Sequence, residues 1–179
     1  MLFPPPFSSL LTSRLAAISP STPYGSLPIQ SALWESAITT SDSLRARLAI
    51  IHLVHEARGL DINPASTDRF RRTGDMETVE VMGIIHADEI THVTAGHRWF
   101  TWICAEEGGV DPVAAFREEV KTRWRGDIPG PFNVEDREKA GLTPEFYVNL
   151  RGEKESTVDK EQSVMERSMA AVRIGYEQT

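Results

Sequence analysis

Between Met82 and Ile103 the chain carries a seam that suits a helix packed on other helices. Met82, Ile85, Glu89, His92, Gly96, Trp99 and Ile103 follow one another at steps of 3, 4, 3, 4, 3 and 4, the spacing of a stripe buried in a helical bundle. Glu89 and His92 occupy positions where the pattern wants Leu or Ile. A buried carboxylate or imidazole is costly unless something pairs with it, and a metal ion is one such partner. Glu-x-x-His puts both side chains on one helix face, about a turn apart and aimed at one spot. Dinuclear carboxylate bundles use the same pair. The spacing alone also suits a hydrogen-bonded Glu-His pair or a seam that faces solvent.

Glu56 adds a third donor. Leu44, Leu48, His52 and Glu56 recur at four-residue steps, with Ala49, Leu53 and Leu60 beside them, so this helix also has an apolar face that ends in a carboxylate. On two antiparallel helices Glu56 and Glu89 meet at one height in a bundle core. His52, His86 and Asp88 lie close enough along these helices to support such a site from behind.

The other signals are helical too. Phe7, Leu10, Leu11, Arg14, Leu15 and Ile18 form an apolar stripe, and Ser19 to Pro28 is a turn-rich connector. A long helix is expected from about Ile29 or later to Leu60, ending at Gly59 and Asp61. Asn63-Pro64 then reads as the start of a short helix running to Arg72, because proline suits a first turn. The seam helix runs from Asp75 to about Glu106, some 45 Å at 1.5 Å per residue, and Gly108-Gly109 stops it. Asp111-Pro112, Asn133 and Thr143-Pro144 each open a further helix. Residues 1–28 are thus a short helix and connector, 29–150 the helical domain, and 151–179 a charged, apolar-poor tail expected to be flexible. No strand-like alternation is sustained, and the expected fold class is all-α: two long antiparallel helices plus short ones.

Composition limits the functions. At 179 residues the chain is one domain, with 25% charged and 40% hydrophobic residues and no apolar run near the roughly 20 residues of a membrane span. A formal charge of −7 argues against nucleic acid as the main ligand. Cys104 is the single cysteine, which rules out an intrachain disulfide and a thiolate cluster. It reads as a packing residue of a cytoplasmic protein, although the acid-free first 34 residues have a faint transit-peptide character. His55-Glu56 begins like a zincin motif, but Gly59 stands where the second histidine is required. Trp99, Phe100 and Trp102 are spaced as core and interface residues. The basic stretch Lys121 to Arg125 suits a bundle end or a substrate contact.

Four blocks in order, YGSLPIQSALWES, HEARGLD, HADEITHVTAGHRWF and GPFNVEDREKAGLTPEFY, resemble the uncharacterised ferritin-like family known as domain of unknown function 455, in its fungal members especially. The resemblance runs from about Phe7 to Tyr147. It implies a ferritin-like bundle with a carboxylate-bridged metal pair, iron or manganese, in which Glu56, Glu89 and His92 are protein ligands. It also implies a preceding helix with a glutamate and another with its own Glu-x-x-His. This chain has neither, and FSSLLTSRL looks like the tail of the second. Three of six ligands are therefore expected, so the chain is N-terminally shortened, two chains associate as a homodimer, or both.

Two functions follow from these residues. One is a diiron oxidoreductase acting through dioxygen on a small-molecule substrate that the sequence leaves unnamed. The other is a non-catalytic bundle fragment that serves as a helical dimerisation module. A mononuclear zinc site of His86, Glu89 and His92 is a third, less economical arrangement.

Overall fold

The computed structural model describes residues 7–152, and every regular element within them is helical. The centre is a hairpin of two long antiparallel helices. The first arm opens at Ser43, whose side chain accepts from the Ala46 amide, and runs as α3 (Leu44–Arg47), a π-helical segment (Leu48–Glu56) and α4 (Ala57–Arg72). Gly74, at φ +79°, turns the chain into α5 (Met76–Glu106). Asp75 caps α5 by accepting from the Thr78 amide at 3.0 Å.

The first arm differs from expectation at both ends. One helix from Ile29 to Leu60 is expected; instead α2 (Ala32–Thr39) is separate. Arg47 holds the bend, donating to Thr40 Oγ1 at 2.9 Å and to the Ala37 carbonyl, while Arg123 binds Asp42. At the other end, the break expected near Gly59 and Pro64 does not occur. A proline inside a helix leaves the carbonyl four residues back without its donor. Here that carbonyl belongs to Leu60, and Asn133 Nδ2 donates to it at 3.1 Å, so the helix continues through Pro64.

The short elements pack around this hairpin. α1 (Phe7–Ile18) is tied to the start of α5 by Arg14, which bonds Asp75, Glu77 and Thr78. α6 (Pro112–Arg123), α7 (Val134–Lys139) and α8 (Pro144–Tyr147) begin at the expected caps. With the hairpin, α6 and α8 enclose a core that includes Leu53, Val54, Leu60, Val93, Phe100, Cys104, Phe116, Val120 and Phe146. Cys104 is buried, as its packing role requires. Among the described residues no helix is long and apolar enough to cross a membrane. Beyond Gly152 the charged tail lies outside the described residues.

The seam on α5 follows the expected one only in part. Its buried line is Val93, Gly96, Phe100, Ile103 and Cys104, whereas Trp99 is 59% and Trp102 52% exposed. Gly96 and Ile103 stay on the expected seam, and Phe100 rather than Trp99 fills the place between them.

Two glycines set how closely the arms approach. A Cβ on Gly96 would overlap His52 Cβ, and one on Gly59 would stand 3.2 Å from Glu89 Oε1. These contacts put His52 opposite Gly96, and Glu89 over Gly59. Gly96→Ala is therefore expected to destabilise by about 1–3 kcal/mol, because a backbone or the root of a side chain must move. Gly83→Ala, in the same helix with nothing within 4 Å, is expected to stabilise by about 0.5–1 kcal/mol. Denaturant midpoints of the two variants check the contrast; equal shifts would refute it.

Candidate functional site

The sequence singles out Glu56 and Glu89, and the hairpin brings them onto facing arms. Glu56 ends the π-helical segment, a departure from α-geometry that is frequent at functional sites. One turn earlier on that segment, His52 Nδ1 lies 2.5 Å from Glu56 Oε2. Glu89 is half-buried and accepts no hydrogen bond among the described residues. Burial pushes its carboxyl up from the usual range, and the negative charge of Glu56 pushes it further; His92 and His86 pull the other way. Two carboxylates that share a partly desolvated space favour a cation, whether a proton or a metal.

The remaining site residues divide. His92 is turned outward, its side chain 46% exposed, with Nε2 3.3 Å from Asp88 Oδ2. Its charge still reaches Glu89. His86 turns toward α7, where its Nε2 meets Asp136 Oδ2 at 2.9 Å. Its Nδ1 is buried with no partner. Burial works to raise the Asp136 carboxyl, but hydrogen bonds with Lys139, His86 and Asn133 outweigh it and hold the group below its usual range.

Carboxylate oxygen and imidazole nitrogen suit a first-row divalent ion in kind. In number they fall short: among the described residues no three His, Cys, Asp or Glu side chains are grouped to hold a metal ion.

The other histidines serve the fold. His55, of the incomplete zincin motif, points to α2, with Nε2 2.8 Å from Ser36 Oγ and its ring edge-on to Trp124 at 5.0 Å. His97 fills the space left by Gly141, where a Cβ would come within 2.6 Å of its Nδ1, and stacks edge-on against Phe146. Burial pushes both imidazoles below the ordinary 6.5. A base depressed in the folded state contributes stability that is complete above its unfolded value and is lost as pH falls through it. The melting temperature is expected to drop between pH 7 and 5, and His97→Gln to flatten that drop. A parallel fall in both proteins would contradict the assignment.

Sequence reasoning missed the link from His86 to Asp136. Asn133 marks the helix start that carries Asp136, but no local pattern connects residues 50 positions apart. The basic stretch at the end of α6 proves structural at Arg123, which binds Asp42 and Glu119.

The family of proteins of unknown function called DUF455 matches residues 7–148. An uncharacterised protein of Haemophilus influenzae is 32% identical over 120 residues, which cover 67% of this chain and 41% of that protein. The chain thus spans about two fifths of the length of the curated relative it matches. No solved structure is significantly similar to it. With a match that takes in both arms of the hairpin and all three short helices after it, the chain belongs to the DUF455 family.

Proposed function

We propose that the acid pair Glu56 and Glu89 is part of a metal site, iron or manganese, in a ferritin-like bundle that acts as an oxidoreductase on dioxygen. The observation that supports this most is Glu89: half-buried, without a hydrogen-bond donor among the described residues, and facing a second carboxylate. Such a pair is stabilised by a cation between the arms. His92 is the nitrogen ligand that the family resemblance implies, one turn along α5 from Glu89.

In this reading one chain supplies only part of the donor set. The remaining ligands come from a second copy or from the part of a longer family protein beyond the matched region. A symmetric dimer would bring four carboxylates and two histidines to one axis, the ligand count of a dinuclear carboxylate centre.

Elemental analysis across the size-exclusion peak tests this. About one iron or manganese per chain in a dimeric peak is the expected result. A metal-free dimer would favour the second reading, a helical association module, for which the exposed Leu44, Trp99 and Trp102 speak.

A further inference from the structure

α2 is turned the wrong way round for a surface helix. Such a helix normally lays its apolar stripe on the core and its polar residues toward water. Here Ser36 faces the body, its Oγ 2.8 Å from His55 Nε2. Leu33, Trp34 and Ile38 share the other side and are 55%, 69% and 56% exposed, and none of the residues of α2 is buried. Leu27 and Ile29, which lead into it, are exposed as well. Exposed apolar side chains grouped in this way mark a contact surface.

The described chain ends beside this helix. Arg123, the last residue of α6, donates to the carbonyl of Thr39, the last residue of α2, at 2.8 Å. Trp124 follows, and Gly152 lies so close to it that a Cβ there would overlap the Trp124 carbonyl. The Gly152 amide donates to the Gly126 carbonyl at 3.0 Å. Beyond Gly152 the sequence is charged and polar as far as Ser163; then Met165, Met169, Val172 and Tyr176 recur at steps of 4, 3 and 4, the stripe of a helix with one apolar side. Fully extended, residues 153–163 reach up to about 36 Å, against about 12 Å for the length of α2.

Size selects a tethered occupant. Three part-exposed side chains offer far less than the roughly 800 Å² per partner of a stable association between free proteins. A segment of the same chain needs less area, because a short tether holds it at an effective concentration of about a millimolar.

We propose that residues 164–176 form an amphipathic helix that docks on the outward face of α2, with 153–163 as its tether. The docking segment lies outside the stretch shared with the family, residues 7–148.

The test uses the whole chain with ¹³C-labelled methionine methyl groups. Nuclear Overhauser contacts are expected between the Trp34 indole and the methyl group of Met165 or Met169, unchanged on tenfold dilution. Met169→Asp should remove them and speed hydrogen exchange of the 164–176 amides at least tenfold, with exchange along α5 unaltered. Ile38→Asp, on the other side of the contact, should release the segment equally. The proposal is overturned by the absence of any contact between Trp34 and either methyl group, or by protection of 164–176 that both substitutions leave in place. Contacts that fade on dilution would also overturn it, marking a second copy as the occupant. The contacts of the unaltered chain decide the matter even if a variant fails to fold.

Discussion

Arg137→Ala is expected to destabilise the fold by about 3–5 kcal/mol, the cost of leaving one partner of a buried ion pair behind. The Arg137 and Asp61 side chains are 2% and 1% exposed. Arg137 Nε donates to Asp61 Oδ1 at 2.9 Å and Nη2 to Oδ2 at 2.7 Å, a two-point fork that alanine cannot replace and lysine cannot copy. The guanidinium also lies 4.6 Å from the ring centre of Tyr147 and 5.0 Å from that of Phe132. Asp61 Oδ1 accepts from the Asn133 amide as well, so the pair anchors α7 and the loop before it to α4. Urea unfolding followed by circular dichroism should show the loss, with Arg137→Lys recovering little of it. A shift below about 1 kcal/mol, the value of a surface pair, would show that the pair does not hold the fold.

Glu89→Ala and His92→Ala are each expected to abolish metal binding while leaving helix content nearly intact. Neither side chain belongs to the buried core. The same residue makes a separate prediction for the metal-free protein. A carboxyl raised in the folded state holds its proton where the unfolded chain has released it. Ionising it therefore costs stability, and that cost is absent at low pH and complete above its folded value. Glu89→Gln removes the cost, so the metal-free variant should melt higher than the unaltered chain at pH 7, with the difference shrinking towards pH 4. Solvent on the exposed side of Glu89 keeps the effect small, about 2–4 °C in a chain of this length. Unchanged metal content in Glu89→Ala would remove Glu89 from the site, and a lower melting point for Glu89→Gln would contradict the account of its charge.

The sequence already carried the pairing of Glu56 with Glu89, because apolar stripes on two helices fix which faces meet and a short connection sets their height. It also carried the caps at Asp111 and Asn133, which are local chemistry. It did not carry the passage of α4 through Pro64, since the donor that replaces the missing one is Asn133, 73 residues beyond Leu60. The exchange of Trp99 for Phe100 on the α5 stripe was hidden for another reason: between Gly96 and Ile103 the steps 3, 4 and 4, 3 both suit a helix, and only packing decides between them. Trp99 on the surface and Phe100 in the core are the result. His86 was legible as a candidate, but its orientation depends on Asp136 from a separate helix. The π-helical segment under His52 and Glu56 follows from no pattern in the residues that form it.

Anomalous diffraction at the metal edge, from crystals of the protein grown with iron or manganese, tests the central claim most directly. A peak between the two arms, beside the Glu56 and Glu89 carboxylates, is the result this account predicts. A metal bound elsewhere, or no peak between the two arms in crystals of the metal-treated protein, would contradict it.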